Sequence, residues 1–373
     1  TAARAVALDK NYGKAWLRLA TAATFNGDIP VADAAIWKAL ALDADDPYAY
    51  SWGLQMFQPK WFNDPAKLRK VGEMACKHVF PTQAQYEIVL SGLADARLAE
   101  LYRGLLARLS AAEQIAADQN PADPQAQYDY ALTLDREGQK REARRRYAAV
   151  AGMRPNDAAA QFDYGYALQS EGRYQEAIPP LQRAVALAPR YYTALSNLGY
   201  CYKKLNKWDS AEAMFRRALA INPQWQDGYF GLADVCIARH KLKDAIANLK
   251  QVIRYAPYMN HVYAQLCSVY EQVGDLPNAV RAGEMAVRQA PDDFEAHDVL
   301  ATGYGMSHRL TDCERECRAA LSINPNDSYA HDTLGDALNE AGDKAAARTE
   351  WQTAVRLGGP ASQEARSMLA RTP

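Results

Sequence analysis

Seven prolines, Pro121, Pro155, Pro189, Pro223, Pro257, Pro291 and Pro325, stand 34 residues apart. A single compact core has no reason to place proline on a fixed ruler, whereas a chain of repeated helical elements does. Proline cannot donate a backbone hydrogen bond, so it ends one helix and fits the start of the next. Asp157, Asp293 and Asp327 follow two residues after three of the prolines, where a side-chain oxygen can cap the new helix. The chain has 373 residues, more than the roughly 100–200 of a usual single domain. Stacked repeats escape that limit, because each contacts only its neighbours.

Taking each proline as position 32 of a 34-residue repeat puts other residue types in register. Position 8 is small, as in Ala131, Gly165, Gly199 and Gly335, and so are positions 20 (Ala143 to Ala347) and 27 (Ala184, Ala218, Ala286). Position 7 is large and apolar, from Tyr130 to Leu334. Position 24 is mostly large (Tyr147, Leu181, Phe215, Leu249, Trp351), with Gly283 and Cys317 as exceptions. Small residues recur where two helices must approach closely. Segments such as "SEGRY" and "EAGDK" separate the helices, with glycine supplying the turn.

This pattern resembles the tetratricopeptide repeat, a helix–turn–helix family. The resemblance covers residues 124–361 as seven consecutive repeats, and residues 13–46 as another, through Trp16, Leu19, Ala20, Gly27, Ala32 and Ala39. It implies an all-α fold, a right-handed α-solenoid of nine antiparallel helix pairs over residues 13–361, with no strand. Residues 47–123 read as two degenerate repeats with a few residues inserted into their turns, or else as a non-repeat helical insert. Residues 1–12 read as the end of a truncated preceding repeat, so sequence upstream is expected. Residues 362–373 read as a capping helix, with Ala365, Met368 and Leu369 at helical spacing and Glu364 and Arg366 facing out.

Charge and composition narrow the function. Lys and Arg number 43 against 44 Asp and Glu, a net charge of −1. A nucleic-acid binder normally shows a basic excess, so nucleic acid is not an expected partner. No apolar run approaches the roughly 20 residues of a membrane span. The six cysteines form no CxxC pair and lie at no zinc spacing with histidine. Cys313 and Cys317 share a helix face, but at positions 20 and 24 they read as small core residues, so neither disulfide nor metal is expected. Unpaired thiols favour a reducing compartment. His240 and His308 fall at the turn position that glycine usually fills, and His297 and His331 at position 4, as partly buried aromatic substitutes. There is no catalytic constellation, cofactor motif or phosphate loop, so no enzyme is expected within this segment. The basic run "KREARRRY" at 140–147 reads as a solvated outer face or as a dock for an acidic partner.

The resemblance also implies a binding face. In this family, positions 2, 5, 9, 12 and 13 of the first helices line the concave surface. Position 5 carries Tyr128, Phe162, Ser196, Phe230, Ala264, Asp298 and Asp332; position 9 carries Leu132, Tyr166, Tyr200, Asp234, Ser268, Thr302 and Asp336. The implied groove is aromatic in its first half and acidic in its second, with Glu271, Glu295 and Glu340 adding charge and Lys203 and Lys204 between the halves. The outer helices carry Arg144, Arg216, Arg217 and Lys243. The expected function is a non-catalytic scaffold that holds a protein or peptide segment of apolar residues followed by Lys or Arg. The alternative is a regulatory or recruiting arm of an enzyme or export machine whose other domain lies upstream. The family's clamp for a C-terminal carboxylate needs Lys at position 5 and Asn or Arg at position 9, and is not expected here.

Overall fold

The computed structural model describes residues 13–58, 64–77, 83–95, 98–359 and 361–371. The expected half-repeat at 1–12 lies outside them. The described residues form 21 helices and no strand. They divide into two compact units, residues 1–171 and 172–373.

The first unit holds four helix pairs, beginning with Gly13–Phe25 and Ile29–Leu42 and ending with Pro124–Arg136 and Lys140–Met153, followed by the helix Ala158–Ser170. The second holds the helix Tyr174–Leu187 and five pairs, from Tyr192–Lys204 with Trp208–Ile221 to Ser328–Glu340 with Lys344–Leu357. With the repeat at 158–187, which contributes one helix to each unit, that makes ten two-helix repeats, one more than the nine expected. The helix Ala361–Arg371 packs Ala365, Met368 and Leu369 beside Trp351 in the last core cluster. No helix among the described residues is long and apolar enough to cross a membrane.

Local sequence sets the helix ends. Each of the seven prolines sits one residue beyond a helix C-cap and two before the next N-cap, so it lies in the turn and not inside the helix that follows. Asp157, Asp293 and Asp327 cap as expected, their Oδ1 atoms accepting from Ala159, Glu295 and Tyr329 N–H at 2.9, 3.1 and 2.9 Å. The proline carbonyls are used too. Tyr229 donates its hydroxyl to Pro223 O at 3.2 Å, and His297 and His331 place Nε2 at 3.1 and 3.3 Å from Pro291 O and Pro325 O. Their Nδ1 atoms meet Glu316 and Glu350 at 2.8 and 2.6 Å, so both rings fasten a turn to the following helix. Within the repeats, the turn residue has positive φ even where it is Asn206, His240 or His308, a conformation Asn and His adopt more readily than most residues.

The irregular stretch departs from the expectation in one respect. Its first extra segment falls between the helices Pro47–Met56 and Pro65–Lys77, where residues 59–63 lie outside the described residues. The second lies within a helix, since Ala99–Gln119 runs 21 residues where the second helices of the seven regular repeats run 14.

The core is a row of local clusters shared by neighbouring pairs. Position 8 must be small because position 24 of the facing helix is large. A Cβ on Gly199 would stand 3.0 Å from the Phe215 ring, and one on Gly335 only 2.6 Å from the Trp351 indole. The exceptions compensate: where position 24 is Gly283, Leu300 of the next repeat fills the space, 3.0 Å from where a Cβ would be. Gly199→Leu is therefore expected to destabilise the second unit by about 1–3 kcal/mol through overpacking. Urea unfolding of the variant checks this, and an unchanged midpoint would show that Gly199 does not face Phe215. Cys76, Cys236, Cys267, Cys313 and Cys317 sit in these clusters; Cys201 is buried as well, and only Cys76 is half-buried.

Candidate partner-binding faces

In the first unit the first-helix face presents Tyr128, Phe162 and Tyr166. Tyr128 lies edge-on to Tyr147 at 5.9 Å and hydrogen-bonds Asp163, which is pushed up to about 6, chiefly by burial. Phe162 stacks on Tyr166 at 6.1 Å, and Tyr166 keeps 48% of its surface in water. The basic run is largely matched from within. Arg144 bonds Glu171 at 3.0 Å, Arg145 and Arg146 both reach Glu142, and Arg146 also bonds Gln127 and lies over the Tyr130 ring.

In the second unit Tyr200 lies beneath two ammonium groups, Lys203 at 4.9 Å and Lys204 at 5.4 Å from the ring centroid. Tyr174 meets it edge-on at 6.0 Å. Lys203 also pairs with Asp234, which accepts from Gln265 at 2.8 Å, so that carboxylate is matched inside the fold. Phe230 meets His261 edge-on at 5.3 Å.

Position 5 does not open as freely as the family pattern implies. Ser196 accepts from the indole N–H of Trp225, the cap residue of the next repeat, at 3.3 Å. Asp298 likewise lies against Asp327, the buried cap of its next repeat. Burial, then Asp327, then the charges of Glu295 and Asp293 push Asp298 up to about 8. Asp332 is 7% exposed, and burial followed by Asp336 and Glu364 pushes it up to about 7. Asp336 stands at the surface, with Oδ1 accepting from Trp351 Nε1 at 3.0 Å. The acidic half therefore carries less charge at neutral pH than its carboxylates suggest.

Two further residues stand beside Asp332 and Asp336. Tyr329, 53% exposed, occupies position 2 of its repeat. Glu364 belongs to the cap helix, yet it lines the same cavity as Asp332, Asp336 and Glu340. No group of three or more His, Cys, Asp or Glu among the described residues could hold a metal ion.

The fold and these first-helix faces define an all-α repeat solenoid of the kind that serves as a protein–protein interaction scaffold. Tetratricopeptide-repeat models match residues 128–192 and 168–235, and the helix pairs on either side continue the pattern: the chain is a tetratricopeptide-repeat protein. No curated protein sequence matches it. Solved structures are similar in fold. Yeast Tom70 covers 100% of this chain and 90% of its own, at 14% identity and a TM-score of 0.50. A tetratricopeptide-repeat protein from Parabacteroides merdae covers 67% of this chain and 98% of its own, at 15% identity and 0.52. A chain of the APC/C Cut9–Hcn1 hetero-tetramer covers 81% of this chain and 55% of its own, at 17% identity and 0.52. At these identities the likeness speaks for the fold alone.

Proposed function

We propose that the chain is a non-catalytic scaffold whose first-helix faces hold an extended partner segment, apolar residues first and Lys or Arg after them. The second unit offers this order by itself. Tyr200 and Phe230 precede Asp234, Asp298, Asp332 and Asp336 along its first helices. Tyr128, Phe162 and Tyr166 form an aromatic stretch on the first unit's own first helices.

The observation that carries this reading is the exposure of rings at groove positions. Tyr166 and Tyr329 stand half in water on first helices whose neighbouring side chains fill the core. Rings that folding leaves in water supply contact area with little further ordering, as binding hot spots do. The carboxylates serve encounter and orientation more than affinity.

The two sets of residues are expected to fail differently once a partner is in hand. Tyr200→Ala with Phe230→Ala should speed dissociation about tenfold or more, the scale of losing one or two hot-spot side chains. Asp332→Asn with Asp336→Asn should slow association and flatten its dependence on salt. Surface plasmon resonance at low and high salt reads both effects. Unchanged kinetics in both double variants would place the partner elsewhere, with the basic outer helices next to be tested.

A further inference from the structure

At the C-terminal end of the second unit, a cavity of about 470 Å³ opens between the helices Phe294–Met306, Leu310–Ile323, Ser328–Glu340 and Ala361–Arg371. Four of its lining side chains are carboxylates: Asp332, Asp336 and Glu340 one helical turn apart, and Glu364 from the cap helix. Asp332 is more than nine-tenths buried, and its Oδ1 has no hydrogen-bond partner. Buried polar atoms are nearly always bonded, and a lone carboxylate oxygen is costly to leave so. The neighbours do not supply the missing donor. Asp336 accepts from Trp351, and Glu340 Oε1 meets His308 Nδ1 at 2.6 Å. Among the described residues, the cavity thus presents acceptor oxygens on several carboxylates, and His308 at Glu340 is the one basic side chain paired with them. That Asp332 is pushed up to about 7, chiefly by burial, fits an uncompensated site.

We propose that this cavity takes a guanidinium group, the side chain of an arginine in the bound partner segment. The proposal rests on the scaffold reading and deepens it. Several acceptor oxygens on two helices call for a fork of donors, and arginine offers five where an ammonium offers three from one point. A guanidinium is also less strongly hydrated than an ammonium, so it enters a site lined by a buried carboxylate at lower desolvation cost. Tyr329 and Met306, 53% and 45% exposed, line the cavity as well. The ring can stack on the guanidinium plane, and both can cover the aliphatic stem.

Saturation-transfer NMR on the full chain tests this without the partner. The probes are N-acetyl-L-argininamide, its lysine counterpart, and the citrulline counterpart, which keeps the shape but loses the charge. The arginine probe is expected to receive saturation at its δ-methylene, the lysine probe less, and the citrulline probe none. Asp332→Asn and, separately, Glu364→Gln should each weaken the arginine probe's affinity about tenfold, the scale of a lost charged hydrogen bond. Glu364 is exposed, so its variant stays informative if Asp332→Asn folds poorly. Equal signals from citrulline and arginine, a stronger signal from lysine, or full binding in Glu364→Gln overturns the proposal. Tyr200→Ala with Phe230→Ala should leave the probe signal intact. If that pair also leaves partner binding intact, the scaffold reading fails while the pocket stands; a silent arginine probe fails the pocket alone.

Discussion

Replacing Trp351 by alanine is expected to destabilise the C-terminal end of the second unit by about 3–5 kcal/mol, the range for removing a buried tryptophan. Its side chain is 0% exposed and packs with Ala347, Ala354 and Ala365. Gly335 lies so close that a Cβ there would stand 2.6 Å from the indole. The ring therefore joins three helices: its own, Ser328–Glu340 and the cap. Truncation opens a cavity among them and removes the N–H bonded to Asp336. Because stability in a repeat chain is carried between neighbours, the damage should be local first. Hydrogen exchange resolved by segment should show protection lost over residues 328–371 before residues 192–255. Protection unchanged over 328–371 would mean that this end is held by something other than Trp351.

The second large effect is a loss of stability with rising pH. Asp298, Asp332 and Asp163 are raised from 3.8 to about 8, about 7 and about 6, in each case mainly by burial. A carboxyl whose folded pKa lies above its unfolded value binds the proton more tightly when folded. Its stabilising contribution is complete below about pH 4 and disappears as pH rises through the folded value. Between pH 5.5 and pH 8.5 the second unit, which holds Asp298 and Asp332, should therefore lose a few kcal/mol, because each tenfold difference in proton affinity between folded and unfolded chain is worth about 1.4 kcal/mol. Asp298→Asn should remove the larger part of that loss, because the amide has no proton to give up. Thermal unfolding at the two pH values reads this directly. A midpoint equal at both, or a difference undiminished in Asp298→Asn, contradicts it.

What the sequence reveals and what it hides follow from the range of each interaction. Helix ends, caps and turns are decided within a few residues, so prolines, Asp157, Asp293, Asp327 and the positive-φ turn residues are readable directly. The small–large register of positions 8 and 24 is readable because both members lie in one repeat. The contacts that shape the binding faces are different. Ser196 with Trp225 and Lys203 with Asp234 are 29 and 31 residues apart. They join one repeat to the next at offsets that a single-repeat template does not contain. Hence the sequence pattern makes the face look more open at position 5, and more charged at Asp234 and Asp298, than the structure makes it. The cavity is hidden for the same reason, since its fourth carboxylate comes from the cap helix outside the repeat pattern.

The scaffold claim is tested most directly by comparing what the chain holds with and without its groove rings. Wild type, Tyr200→Ala with Phe230→Ala, and Lys243→Ala as an outer-surface control would serve as baits in quantitative affinity capture. Circular dichroism would establish that all three are helical at the capture temperature. The account predicts at least one protein retained equally by wild type and the Lys243 variant and depleted with the ring variant. The same proteins retained in the same amounts by all three baits would contradict it.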